Sequence, residues 1–146
     1  MISLKNQMSD ENAKQDWYLL LSVSSSLYAV GLPYVFRITA IDQIHPIPET
    51  KEYVLGMIKV AGAVWPVADL RIKFGEKEPE IPRHPMGVLL EYKENKTCIL
   101  IDDVRSVFTA DPEEMIPPLG KNSYVSGSMQ IENSIISFLS IDSLFD

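Results

Sequence analysis

Val54-Leu55-Gly56-Met57-Ile58-Lys59-Val60-Ala61-Gly62-Ala63-Val64-Trp65-Pro66-Val67-Ala68-Asp69-Leu70-Arg71 is the stretch whose reading decides the fold. Two short runs rich in β-branched and apolar residues, Val54–Val60 and Ala63–Val67, flank Gly62, which lacks a Cβ and can take the positive φ of a tight connection. The stretch therefore reads as a β-hairpin. Pro66 has no backbone donor, which predicts that the second strand lies at a sheet edge or ends there. Asp69 is placed to cap a helical turn through Leu70 and Arg71.

Upstream, Met1–Asp16 is polar, mixed in charge and free of aromatic residues, so it buries too little to offset the entropy of ordering. A flexible arm is expected over 1–16, with a short unsupported helix as the alternative, and an ordered domain over 17–146. Trp17–Val23 and Leu27–Val30 read as a first hairpin around Ser24-Ser25-Ser26. Pro33 fits the first turn of a short helical segment through Arg37. From Ile38 a strand is expected, ending in an extended Ile44–Pro48 segment, because Pro46 and Pro48 exclude a long helix.

Downstream, Glu76–Pro85 is rich in proline and charge and reads as a surface connection. Met86–Tyr92 reads as a strand, Lys93–Lys96 as a turn, and Thr97–Val107 as one strand whose apolar run Asp102-Asp103 interrupts. Thr109–Gly120 reads as a long loop with one helical turn at Pro112–Met115. Ser123–Gln130 and Ile135–Ile141 pair around Glu132-Asn133, and Ser140–Phe145 finishes as a short helix. Strands thus recur about every ten residues with turn chemistry between them, the rhythm of an all-β sandwich or barrel. No internal repeat is read from the sequence.

A chain of 146 residues is one domain's worth and can bury roughly two-thirds of its unfolded surface. Its formal charge of −7 argues against a partner bound through phosphates, so nucleic acid is not expected. Cys98 is the only cysteine, which excludes an intramolecular disulfide and a cysteine-built zinc site. The N-terminus has no continuous apolar run resembling a signal peptide. No segment offers the ~20 consecutive apolar residues of a membrane helix. A cytoplasmic protein without membrane insertion is expected.

Candidate catalytic groups are few. Cys98 sits among Thr97, Ile99, Leu100 and Ile101, where an apolar setting hides a thiol and raises its pKa, so it is expected to be a packing residue. His45 and His84 each precede a proline with no metal motif joining them. Asp102 and Asp103, as neighbours on a strand, would point to opposite faces. A small enzyme using Cys98 or the Asp102/Asp103 pair is the weaker class; a binding module is the stronger.

Gly56, Gly62, Pro66 and Asp69-Leu70 stand at a spacing that resembles the signature of the CheW-like bacterial chemotaxis adaptors, G-x-x-x-x-R-G-x-x-x-P-x-x-D-L. Asp102-Asp103-Val104 is similar to that family's acidic residue followed by valine, and Tyr124–Gly127 with Ile135–Leu144 to its closing hairpin. The resemblance covers the whole ordered region. It implies a double β-barrel, two small five-stranded barrels packed together. It also implies a non-catalytic scaffold without cofactor that links chemoreceptor cytoplasmic tips to the regulatory domain of a CheA-type histidine kinase. Carried over by position, the protein-binding surface comprises Ile38, Ala40, Gly56, Lys59, Val60, Ala61 and Gly62, with core packing as the alternative for Ile38 and Val60. This chain departs from the pattern at Ala61, where the family carries arginine, and at Ala40, where many members carry glutamate. The departures leave two readings open: weakened coupling to the usual partners, or a divergent CheW-like module with a different partner. Lys59 would share the face of Ala61 in a regular strand, either supplying the missing charge or standing solvated.

Overall fold

The computed structural model describes residues 15–48, 51–77, 79–118 and 124–145. The fold is all-β: among the described residues ten strands lie in two five-stranded sheets. One lobe contains β1 (Asp16–Val23), β2 (Ser26–Gly31), β8 (Asp103–Ala110), β9 (Val125–Ile131) and β10 (Ser134–Leu139), in the order β8-β1-β2-β10-β9. The other is contiguous: β3 (Val35–Ala40), β4 (Val54–Val60), β5 (Ala63–Ala68), β6 (Met86–Tyr92) and β7 (Asn95–Ile101), in the order β3-β6-β7-β5-β4. Two short helices, α1 (Leu70–Lys73) and α2 (Ile141–Leu144), follow β5 and β10. The expected arm over 1–16 falls mostly outside the described residues, and Asp16 already opens β1.

Each sheet closes on itself by the same device. After β3 the chain runs to β4, where the His45 N–H donates to the Met57 carbonyl at 2.9 Å and the Met57 N–H returns to His45 at 2.8 Å. After β8, Ile116 and Ser128 exchange the same pair of bonds at 2.8 and 2.9 Å. So close an approach needs a residue without a side chain on the strand. A Cβ on Gly56, which stands at φ 155°, would lie 2.7 Å from Ile44 Cγ2 and strike the His45 carbonyl oxygen. On Gly127 it would lie 2.9 Å from Met115 Cβ.

These parallels expose a duplication. Residues 53–74 align with 124–145 without a gap, matching Tyr53 to Tyr124, Val54 to Val125, Gly56 to Gly127 and Phe74 to Phe145. Leu55 and Ser126 are the extra, bulged residues of β4 and β9. The Asp69 N–H donates to the Tyr53 carbonyl, and the Ser140 N–H to that of Tyr124. Strand for strand, the spatial order β8-β1-β2-β10-β9 matches β3-β6-β7-β5-β4, so β8, β9, β10, β1 and β2 correspond to β3, β4, β5, β6 and β7, and one lobe is a circularly permuted copy of the other. The expectation of no repeat is therefore wrong. Beyond those four identities the copies share mainly apolar character at their buried positions, because each buried strand face asks only for volume.

Three local expectations also change. Pro33 lies in a 3-10 turn limited to Leu32–Tyr34, and Val35 to Arg37 are already strand. Their ladder with β6 outweighs a turn that no apolar stripe would hold. Thr97–Val107 is not one strand: the chain leaves one lobe at Ile101 and enters the other at Asp103. Asp102 holds that crossing, its carboxylate accepting from the Ser24 N–H at 2.6 Å. Finally, β5 is an interior strand that runs through Pro66, between β7 and β4. Proline is tolerated because pairing with β7 begins only at the next residue, Val67 opposite Cys98, so no ladder bond is lost there.

The two lobes share a core. Leu19, Leu21, Val23, Val30 and Leu139 from one pack with Leu70, Val88, Leu90, Ile99 and Ile101 from the other in a single buried cluster. Each barrel adds a cluster of its own, around Trp65 and Leu89 or around Ala29 and Phe138. Lys73 reaches across, donating from Nζ to the Ser143 carbonyl at 2.8 Å and lying 4.4 Å from the Tyr53 ring centroid. One transition should therefore describe unfolding. Leu70→Ala, in the shared cluster, is expected to cost about 2–5 kcal/mol. Urea titrations followed by circular dichroism and by the emission of Trp17 and Trp65, one in each lobe, should give coincident midpoints before and after the substitution. Separate midpoints would show that the lobes fold independently.

Candidate protein-contact surface

The β4–β5 hairpin turns in two residues, with Val60 opposite Ala63. Ala61 stands at φ 52° and Gly62 at φ 75°. Positive φ at both positions matches the twist of a two-residue hairpin turn; it is easy for glycine and mildly strained for alanine. Both residues are exposed. Beneath the turn, Trp65 is buried and its indole N–H donates to the Val60 carbonyl at 3.1 Å, tying the strand end to the core. At the other end of β5 the Asp69 carboxylate accepts from the Arg71 N–H at 3.0 Å, capping α1. The same carboxylate takes the Arg71 side chain in a forked pair, Nε to Oδ1 at 3.0 Å and Nη2 to Oδ2 at 2.8 Å. That bonding raises the guanidinium pKa further.

The residues singled out from the sequence do not form one continuous patch. Lys59, Ala61 and Gly62 are exposed at the hairpin tip, with Lys59 cross-strand from Val64, while Val60 is half-buried against the Trp65 cluster. Because Ala61 is a turn residue, strand alternation does not extend to it, and Lys59 does not share its face by periodicity. Gly56 is buried at the base of β4, where its role is the close approach of His45. Ile38 is exposed on β3, and Ala40 ends that strand opposite Met86. Ala40 lines an open groove of about 510 Å³ with Asp42, Arg83 and His84.

Sequence reasoning missed the residue that brings β3 to the hairpin tip. Phe36 is the extra residue of a β-bulge, between Val35 opposite Leu90 and Arg37 opposite Leu89. Its ring lies 5.3 Å from that of Trp65. A bulge is a backbone event set by barrel closure and has no compositional mark, so only the aromatic beside an arginine was available as a signal.

Catalytic chemistry finds no footing in these positions. Cys98 is fully buried, and burial pushes its thiol pKa to about 12. Asp102 is committed to the Ser24 N–H, and Asp103 lies 3.7 Å from Arg105 at the exposed start of β8. Among the described residues no cluster of three or more His, Cys, Asp or Glu could hold a metal ion. None of the described helices is long and apolar enough to cross a membrane.

Comparison with known proteins matches the CheW-like domain model to residues 18–146. The chain is 26% identical over 128 residues to the chemotaxis protein CheW of Rhizobium meliloti, covering 84% of this chain and 83% of that one. It is 24% identical over 144 residues to the chemotaxis protein CheW of Treponema pallidum, covering 92% and 84%. The scaffolding protein TtCheW from Thermoanaerobacter tengcongensis has the same fold, with a TM-score of 0.77 at 23% identity over 86% of this chain and 89% of that one.

The setting of Cys98 gives two measurable consequences. A thiol reagent should label the native chain slowly and the urea-unfolded chain fast. Since the folded pKa is raised to about 12 from an ordinary 9.0, the associated stability is complete below the unfolded value and is lost as pH rises from 9 towards 12. Urea midpoints measured from pH 8 to 11 should fall, and Cys98→Ala should flatten part of that fall. The remainder belongs in part to Tyr18, whose hydroxyl burial also raises to about 12.

Proposed function

Since this chain belongs to the CheW-like domain family, we propose that it is a non-catalytic adaptor of bacterial chemotaxis signalling. In this reading it works in the cytoplasm without a cofactor, linking chemoreceptor cytoplasmic tips to the regulatory domain of a CheA-type histidine kinase. The supporting observation is a division of labour within the signature hairpin. Gly56 admits His45, Gly62 makes the turn, Asp69 caps α1 and Leu70 fills the shared core. Position 61 is exposed and carries no such task. An arginine there serves a partner rather than the fold, holding a carboxylate or carbonyl groups with its planar donors. The contact surface proposed is the hairpin tip, Lys59, Val60, Ala61 and Gly62, together with Ile38 and Ala40 on β3; Gly56 supports it from beneath.

A second reading, a CheW-like module with a different partner, is favoured by one fact. Ala61 and Ala40 are both exposed, so both charged positions of the pattern are vacated where a partner would read them. Removing both leaves neither uncompensated, whereas removing one from a buried interface can cost several kcal/mol.

Calorimetric titration against one receptor cytoplasmic fragment and one kinase regulatory domain separates these readings. The native chain should bind more weakly than an arginine-bearing adaptor by about 1.5–3 kcal/mol, the scale of one hydrogen bond to a charged group. That is roughly tenfold to hundredfold in affinity. Ala61→Arg should recover part of it, and the double change with Ala40→Glu more, at little cost in stability. A side chain is already held at positive φ there, so arginine adds no new backbone strain. Full-strength native binding that arginine does not improve would overturn this account of position 61, and no binding by any variant would favour the different partner.

A further inference from the structure

The permuted barrel opens into a cleft of about 600 Å³ where β1 begins, β2 ends and α2 starts. Trp17, Tyr18, Tyr34, Met115, Phe138 and Ile141 supply its apolar walls. Counted from the bulges at Phe36 in β3 and Arg105 in β8, Trp17 and Tyr18 correspond to Met86 and Gly87 of the contiguous barrel. The fold therefore asks for neither an indole nor a phenol at this end. Among the described residues, the Trp17 indole N–H is the one buried side-chain polar group without a hydrogen-bond partner. A buried donor left unpaired is costly, and the cleft is the side from which an acceptor can reach it.

The cleft is also negative. Asp16 and Asp142 line it, and among the described residues no lysine, arginine or histidine does. Tyr18 feels the same field: burial, then the Asp16 carboxylate, Tyr34 and Asp111, push its hydroxyl up to about 12. Asp142 accepts from the Tyr92 hydroxyl at 2.6 Å, a neutral donor that leaves its charge in place. The Lys93 ammonium, which feels Asp142, lies over the Tyr92 ring, 5.0 Å from its centroid, and is not part of the lining.

Residues 1–14 lie outside the described residues, and the described chain begins at Gln15, next to the Asp16 and Trp17 that line the cleft. Met1–Ser9 carries the apolar side chains of Met1, Ile2, Leu4 and Met8, and Lys5 is its only charged side chain. These are too few to build a core, but a cleft the rest of the chain has already built asks only to be filled. Between them, Asp10–Lys14 is a spacer that at ~3.5 Å per residue reaches about 17 Å, enough to return to a wall the chain has just left. We propose that the cleft is the docking site of this chain's own N-terminal segment, with Ile2 and Leu4 on the aromatic walls, a segment carbonyl accepting from the Trp17 indole N–H, and Lys5 at the Asp16 and Asp142 carboxylates. Ile2 and Leu4 share one face of an extended segment and Lys5 stands on the other, which directs it to the rim. The tether raises the segment's effective concentration, so few contacts hold it, and any other ligand of the cleft has to displace it. The inference does not rest on the adaptor reading.

The test uses the full chain with a nitroxide on Ser3→Cys, for which the buried Cys98 does not compete. In NMR spectra the label should broaden the Trp17 indole resonance and the Phe138 and Ile141 amides, and leave Ala61 and Gly62 at the hairpin tip sharp. Ile2→Asp with Leu4→Asp should remove the broadening, and Lys5→Glu or high salt should weaken it severalfold. In the unlabelled chain the same double change should quicken solvent exchange of the Trp17 indole proton about tenfold. A peptide of the Met1–Ser9 sequence added in trans should compete with the tethered segment and sharpen the broadened resonances, and its doubly substituted counterpart should not. These substitutions lie outside the folded barrels, so a lost signal reports docking rather than unfolding. Broadening that is absent, spread evenly over the surface, or indifferent to Ile2→Asp with Leu4→Asp overturns the proposal. Broadening seen only between a labelled copy and a separate isotope-enriched copy overturns the intramolecular contact and makes the segment of a second chain the occupant.

Discussion

The parallel pairing of β10 with β2, Ile136 beside Leu27 and Phe138 beside Ala29, is the constraint on which the rest of the structure depends. It joins the first hairpin of the chain to the last, so one whole barrel has to be accommodated in the interval. The entropy of closing so long a loop grows only with the logarithm of its length, but it is spent before any contact is gained. The gain comes when Ala29, Ile136 and Phe138 meet in a buried cluster and Leu139 reaches the core shared with Leu70 and Ile99. Non-local pairing of this kind forms late, which makes the split barrel rely on the contiguous one.

That dependence explains where the polar side chains between the lobes are used. Asp102 stands at the residue where the chain changes barrels and fastens it to the Ser24 turn; Lys73 bonds the carbonyl of Ser143 on α2. Asp69 and Arg71 are a forked ion pair at the equivalent of Ser140 and Asp142, so the duplicated helix starts have diverged in chemistry while keeping geometry. A buried pair of this kind is weak evidence of net stability, because desolvation consumes much of its attraction. It fixes the direction in which the chain leaves β5, and so the placing of the hairpin behind it.

Duplication also separates what a barrel requires from what this chain adds. The glycine under the closing bridge, the bulge just before it and the tyrosine carbonyl that receives the helix-cap N–H occur in both copies. The copies differ in the side chains that stand outward: Phe36 against Arg105, and the Ala61-Gly62 turn against Glu132-Asn133. Exposed strand and turn positions are nearly free of folding constraint, and it is there that a contact surface can change without cost to the core.

The sequence by itself determined the β4–β5 hairpin, the capping role of Asp69, the burial of Cys98 and the all-β class. Each rests on local physics: a turn needing positive φ, a carboxylate two residues before an orphan N–H, an apolar run bounded by turn residues. It also held the repeat, in Tyr53-Val54 and Gly56 against Tyr124-Val125 and Gly127, but as a few identities among interchangeable apolar residues. Tertiary structure alone decided that Pro66 lies in an interior strand, that the chain changes barrels at Asp102, that Gly56 is a packing residue and that Phe36 rests on Trp65. Each depends on which strand lies beside which, and a period-two pattern specifies a face without naming the neighbour that covers it.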